Sequence, residues 1–191
     1  MAFEVGATVR LYSGTREGRP YQTGSALQIA PRRWVTASHA VSAEAAIKLK
    51  LGDAWSQARV IHRDEELDFA LLVADKDWPW QARISMNFPD SGSPVKVTGW
   101  VIEDPHGNGP DRAFRVVQDY ICQGSDEESL LVLKGAAPSI GFSGAAVTDV
   151  RTGKVVGIIL GFRVSRRADG SPAEIDEAHA RSLSCIPGEY W

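Results

Sequence analysis

Apolar side chains fall at alternate positions in short runs along this chain, and Gly, Pro, Asp or Ser interrupts each run after a few residues. Val9 and Leu11 share one face of such a run, and Val95 and Val97 share a face of another. Alternation with period two sends successive side chains to opposite faces of a strand, so the pattern predicts an all-β chain. Candidate strands cover residues 7–12, 25–30, 34–38, 46–51, 58–62 and 69–73. A polar, proline-containing stretch follows at 75–93, and further candidates cover 94–100, 113–121, 130–134, 144–148, 155–162 and 182–186. Short helical turns are predicted at 40–45 and at 173–181, where Pro172, Glu174 and Glu177 suit the start of a helix. The equal strand counts predict two six-stranded halves, residues 1–82 and 83–191. Each half is expected to close into a small antiparallel barrel, which leaves no sheet edge exposed. Neither an internal repeat of about 20–50 residues nor a sustained heptad is visible.

Composition narrows the class without changing it. With 43% hydrophobic and 24% charged residues among 191, the chain is built like an ordinary globular protein, which excludes disorder, collagen and coiled coil. A formal net charge of -3 provides no positive field for phosphate backbones or anionic lipid, so neither nucleic acid nor a membrane surface is an expected partner. No stretch is apolar enough to cross a bilayer, and the first residues carry neither a basic region nor an apolar one, which predicts a cytoplasmic protein. Two cysteines, Cys122 and Cys185, are too few for a disulfide framework and are expected as buried, free thiols. Cys122 sits at a strand end with no histidine near it in sequence, so it is not the expected nucleophile. His62, His106 and His179 have no short ligand spacing to one another or to a cysteine, and neither metal nor cofactor is expected.

Three places carry candidate chemistry. Ser143 lies in Gly141-Phe-Ser-Gly-Ala-Ala-Val, where glycines on both sides permit the tight path that presents a hydroxyl at a loop surface. Such a turn can also aim the amides of Gly141 and Ser143 at one point, as stabilisation of a developing oxyanion requires. His39 closes the apolar run Trp-Val-Thr-Ala-Ser-His, which places an imidazole at the rim of the first half. Asp68 directly precedes the apolar run Phe-Ala-Leu-Leu-Val, unlike Asp64, Glu65 and Glu66, which read as a solvated turn. An acid at the mouth of a buried strand is suited to accept an imidazole N–H and to stabilise the imidazolium.

Taken together, the stretch from Gly24 to Thr36-Ala-Ser-His39, the Leu67-Asp68-Phe-Ala-Leu-Leu run, and Gly141-Phe-Ser-Gly followed by Gly153-Lys-Val-Val-Gly-Ile resemble the trypsin-like serine peptidases in order and spacing. The resemblance extends over nearly the whole chain. It implies two six-stranded barrels of the chymotrypsin type with the active site in the cleft between them, and a catalytic triad of His39, Asp68 and Ser143. It implies a serine endopeptidase that hydrolyses a protein or peptide substrate through an acyl-enzyme, with Gly141 and Ser143 forming the oxyanion hole. The base of the specificity pocket is then expected at Ala137, Pro138 and Ser139, and its wall at Leu160, Gly161 and Phe162. With no acid at that base, cleavage after Lys or Arg is disfavoured and a small or medium apolar residue is expected there. An extended substrate is expected to add as a strand along 160–162. Arg163, Arg166 and Arg167 beyond that wall read as a solvated loop rather than as a site for an acidic substrate.

Phe142 departs from the commonest family motif, which has Asp before the serine and Gly-Pro after the next glycine, where this chain has Ala145 and Ala146. In zymogen-derived members that Asp pairs with a newly cut amino terminus. Its replacement predicts an active site independent of N-terminal processing. Similar bacterial domains often belong to larger regulated proteins, and the chain ends on Tyr190 and Trp191, two large residues expected to meet a regulatory partner or fused domain. Two other readings compete. An α/β-hydrolase would use the Gly-x-Ser loop with Asp169 or Asp176 and His179, but Ala145 breaks its motif and the long helices are missing. A catalytically silent peptidase-like module would bind a partner in the same cleft.

Overall fold

The structure is a computed structural model that describes residues 7–16, 19–102, 113–125, 130–136, 140–162 and 177–191. The first six strands are β1 (Thr8–Arg16), β2 (Arg19–Ala30), β3 (Arg33–Ala37), β4 (Ile47–Leu51), β5 (Ala54–Asp64) and β6 (Phe69–Ala74). They form a closed barrel in the order β1-β2-β3-β6-β5-β4. The second six are β7 (Pro94–Ile102), β8 (Ala113–Ser125), β9 (Leu130–Gly135), β10 (Ala146–Asp149), β11 (Val155–Phe162) and β12 (Glu177–Ser182). They close in the order β7-β8-β9-β12-β11-β10, and every pairing within both barrels is antiparallel. The expected all-β architecture is therefore the one observed.

Side-chain alternation explains why some strands read as unbroken apolar runs. Trp34 and Ala37 of β3 and Ala70 and Leu72 of β6 point into the first barrel. Their neighbours Val35, Phe69 and Leu71 point outward into a separate core that also holds Ala146, Val155, Ile158, Leu183 and Ile186 of the second barrel. The same division occurs on β11, where Val156 and Ile159 fill the second barrel and Val155 and Ile158 face the first. These strands lie at the interface and are buried on both faces, so no polar positions interrupt them. By contrast, β8 alternates exposed residues with buried or half-buried ones because one face meets solvent. Truncating Leu71, only 1% exposed in the interface core, to Ala is expected to cost about 2–5 kcal/mol.

Three local expectations need correction. Residues 177–182 are a strand rather than the end of a helix, because β12 is paired on both sides, with β11 and with β9. Ladder pairing outweighs the helix-favouring Glu-Ala-His-Ala-Arg composition. The strand expected at 182–186 is instead a single 3-10 turn, Leu183–Cys185, opened by Ser182, whose hydroxyl accepts the Ser184 N–H at 3.2 Å. The turn expected at 40–45 is one 3-10 turn at Ser38–Ala40. Residues 173–176 lie outside the described residues. Tyr190 and Trp191 pack against the interface core of this chain, and Arg33 donates to the Glu189 carbonyl at 3.3 Å. Their size therefore does not by itself call for a neighbouring protein.

Candidate active site

The register of the first barrel brings His39 and Asp68 together. Pairing of β3 with β6 sets Ala37 opposite Phe69, so the residues just beyond each strand end meet at the rim. The Ser38 N–H donates to the Asp68 carbonyl at 3.1 Å, and the chain then turns through the 3-10 turn that carries His39. Asp68 itself has φ of 53°, a left-handed conformation uncommon for a non-glycine residue. That turn aims its carboxylate back at His39: Oδ1 accepts the His39 backbone N–H at 3.0 Å, and Oδ2 lies 2.8 Å from Nδ1. Two contacts hold this turn from below. Asp64 Oδ1 accepts the Leu67 N–H at 2.8 Å, and Arg181 of β12, 5% exposed, donates from Nε to the Leu67 carbonyl at 2.7 Å.

Ser143 arrives from the second barrel on the loop that enters β10. Its Oγ lies 2.8 Å from His39 Nε2. The loop is pinned by backbone bonds: Gly144 N–H to the Ile159 carbonyl at 2.7 Å, Ala145 N–H to the Phe142 carbonyl at 2.7 Å, and Ser25 N–H to the Ser143 carbonyl at 2.7 Å. Gly144 has φ of 83°, and a Cβ there would run into the Ser25 carbonyl oxygen and the Thr36 hydroxyl, so only glycine fits. Phe142, 1% exposed, points the opposite way from Ser143 and fills the second barrel with Tyr120, Val97 and Ala145. An apolar anchor thus stands where the commonest motif of the resembled family would place an Asp.

Charge fixes the tautomer. The ionised Asp68 can only accept, so His39 Nδ1 donates to Oδ2, and Nε2 is left to accept the Ser143 hydroxyl proton. The hydrogen bond that His39 donates to Asp68 raises the His39 pKa above its ordinary value; burial opposes this and the Asp68 charge reinforces it. Burial pushes Asp68 upward, but the His39 ring, the His39 amide and the Ser38 amide together hold it below the ordinary carboxylate value. His39 is 50% exposed and Asp68 28%, so a ligand in the cleft can reach the imidazole.

The orientation of the Gly141 amide follows from peptide planarity. The Ile140 carbonyl accepts the Ile102 N–H at 3.1 Å. In a trans peptide the N–H points opposite to the C=O, so the Gly141 N–H is turned away from β7. Gly141 has φ of 99°, and among the described residues no acceptor is bonded to the amides of Gly141 or Ser143. Ala137, Pro138 and Ser139 lie outside the described residues, as do Arg163, Arg166, Arg167, His106, Asp169 and Asp176. Leu160 packs against the first-barrel core, a Cβ placed on Gly161 would meet nothing within 4 Å, and Phe162 ends β11 opposite Ala178. Ile140, 59% exposed beside Gly141, is an apolar rim residue that the sequence did not single out.

The other titratable candidates are engaged elsewhere. His62 stacks against Phe69 and Tyr190 at centroid distances of 5.5 and 5.2 Å. His179 Nε2 lies 2.8 Å from Glu177 Oε1. Both cysteines are free; burial raises the Cys122 thiol and pushes Cys185 up to about 11, which leaves neither as a thiolate nucleophile near neutrality.

Residues 24–158 match the family described as the trypsin-like peptidase domain. No curated protein matches the chain in sequence. Among solved structures, the Rv3671c protease from Mycobacterium tuberculosis in its active form is 19% identical, with a TM-score of 0.71, 94% of this chain covered and 77% of that chain. The inactive form of Rv3671c is 18% identical at a TM-score of 0.70, covering 94% of this chain and 85% of that one. The HtrA-type protease AlgW, solved with a decapeptide, is 19% identical at 0.68, with 94% of this chain and 61% of that chain covered. At these identities the structural likeness is a likeness of fold, two packed β-barrels, which excludes an α/β-hydrolase.

Proposed function

The chain belongs to the trypsin-like peptidase domain family and is a serine endopeptidase, and from that premise we propose that it cuts its protein substrate through a triad of Ser143, His39 and Asp68 and an acyl-enzyme. The single observation that carries the proposal is the unbroken chain of two 2.8 Å hydrogen bonds from Asp68 through His39 to Ser143. His39 Nε2 takes the Ser143 proton as Oγ attacks the scissile carbonyl, and Asp68 stays ionised while it stabilises the imidazolium. The Gly141 and Ser143 amides receive the oxyanion. His39 then protonates the leaving amine, and water attacks the acyl-enzyme by the same route in reverse.

An extended peptide fits the cleft as an added strand. From Leu160 onward β11 pairs only with β12 among the described residues, so its other edge offers backbone groups to a substrate. At the pocket base the sequence supplies Ala137, Pro138 and Ser139, which favours a small or medium apolar side chain. Phe142 replaces an ion pair with an apolar anchor, so the site forms without N-terminal processing. Activity is gated by a partner or a fused domain; the active and inactive forms of Rv3671c support two states in this fold. Constitutive cleavage of many unrelated unfolded proteins by the isolated chain would exclude that gating. Two free thiols suit a cytoplasmic protein, which cell fractionation checks.

The test is labelling with a fluorophosphonate probe, read by intact mass. One covalent adduct on the native chain, absent from Ser143→Ala and His39→Ala, is the expected result. A folded native chain that takes no adduct would overturn a working nucleophile in the isolated chain and mean either a closed site awaiting a partner or a silent binding module.

A further inference from the structure

We propose that Ser25, on β2 of the first barrel, is a positioning residue that latches the oxyanion loop of the second. The inference rests on the triad reading above. Ser25 is 0% exposed, and each of its polar groups is placed on the nucleophile loop or its support. The N–H donates to the Ser143 carbonyl at 2.7 Å, the hydroxyl lies 3.0 Å from both the Gly141 carbonyl and the Trp100 amide nitrogen, and the carbonyl accepts the Thr36 hydroxyl at 2.7 Å.

Proton counting settles the direction of these bonds. A backbone amide can only donate, so Trp100 N–H fills a lone pair of Ser25 Oγ, and the single hydroxyl proton goes to the Gly141 carbonyl. That bond sets the plane of the peptide after Gly141. The bond from Ile102 N–H to the Ile140 carbonyl sets the plane of the peptide before it. Between the two lie the φ and ψ of a glycine, the softest pair of dihedrals in the chain, with φ already at 99°. Without the hydroxyl, the peptide after Gly141 loses its anchor and can turn about the glycine φ and ψ, which takes the Ser143 amide out of register with the Gly141 N–H that the Ile102 bond still holds, and the buried Gly141 carbonyl loses its partner. One first-barrel residue thereby holds the carbonyls of both residues whose amides face the oxyanion.

The test uses the full chain and two substitutions, Ser25→Ala, which removes the hydroxyl, and Ser25→Cys, which fills the space with a poor donor. Fluorophosphonate labelling is followed over probe concentration and pH, well below each protein's thermal midpoint. Both variants are expected to lose roughly tenfold to a hundredfold in the maximal labelling rate. The half-saturating probe concentration and the acid limb of the pH profile are expected to stay where they are in the native chain, because His39 and Asp68 are untouched. Labelling at the native rate by folded Ser25→Cys would overturn the latch and leave a packing role, and this variant decides the matter even if Ser25→Ala does not fold. A shifted acid limb would also overturn it, since the residue would then act through His39. Absence of an adduct on the native chain would overturn the nucleophile reading itself, a separate outcome.

Discussion

The two barrels have the same connectivity, β1-β2-β3-β6-β5-β4 in the first and β7-β8-β9-β12-β11-β10 in the second, yet they use the same connection for different chemistry. The link from the third strand to the fourth carries His39 in the first barrel, and the corresponding link, from β9 to β10, carries Ser143 in the second. The first barrel presents a side chain, aimed by a 3-10 turn and by hydrogen bonds to a carboxylate. The second presents a hydroxyl and backbone amides, aimed by glycines at φ of 99° and 83°. A base must rotate, exchange a proton and bear charge, which suits an imidazole held by a carboxylate. An oxyanion is best met by fixed dipoles, which suits a loop whose backbone cannot relax.

The sharpest way to separate these contributions is to remove one from each barrel. Ser143→Ala is expected to lower hydrolysis by about a millionfold while peptide binding persists, measured by turnover and by calorimetry. Asp68→Asn, on the first barrel, keeps the geometry but favours the wrong imidazole tautomer, and about ten-thousandfold is the expected loss in kcat. Equal losses for the two would mean that the barrels do not divide the chemistry as described.

Backbone substitutions probe the same division through stability. Gly144→Ala combines a positive φ with a collision against Ser25 and Thr36, and about 3 kcal/mol of destabilisation is expected in denaturant titration. The reverse change in the corresponding first-barrel loop, Ala40→Gly, asks nothing special of the backbone and is expected to cost only about 1 kcal/mol. A Gly144→Ala protein as stable as the native chain would mean that this loop is not glycine-dependent.

Titration sharpens the picture further. His39 must be neutral to accept a proton and its pKa is raised, so activity should rise with pH through a midpoint above 6.5, and Asp68→Asn should move that midpoint down. The same pair contributes to stability with opposite signs at its two ends. The raised His39 adds stability that is complete below 6.5 and lost as pH rises through its folded value. The depressed Asp68 adds stability present above 3.8 and lost as pH falls through its folded value. The gap in thermal midpoint between native and Asp68→Asn protein should therefore be widest between these pH values and small throughout, because the imidazole is half exposed. The smallest effect expected is none: residues added before Met1 should leave activity unchanged, since Phe142 and not an amino terminus anchors the nucleophile loop. Dependence on a freed amino terminus would remove that role from Phe142.

Much of the candidate site was legible because its residues sit at pattern boundaries. His39 ends an apolar run and Asp68 begins one, so each lies at a strand end, where a side chain reaches a barrel rim. Ser143 stands between glycines whose need for positive φ is local. Arg181 and Ser25 carried no such mark. Arg181 sits in an ordinary strand and Ser25 in an ordinary alternation, and both matter only because the barrels pack so that one meets Leu67 and the other meets Gly141.

The sequence by itself determined the period-two pattern of eleven strands, the all-β class and the chemical types available at the strand ends, while its twelfth candidate, 182–186, is a 3-10 turn and the strand lies at Glu177–Ser182. It did not determine where β12 begins, because Glu-Ala-His-Ala-Arg suits a helix until β9 and β11 supply ladders on both sides. Nor did it determine the aim of the Gly141 amide, or that Phe142 would turn inward while Ser143 turned out. Those depend on the bond from the Ile102 N–H on β7 to the Ile140 carbonyl in one case and on the packing of a closed barrel in the other. Local pattern records what a strand needs from its own residues, whereas the orientation of a peptide group is set by whichever distant donor or acceptor reaches it.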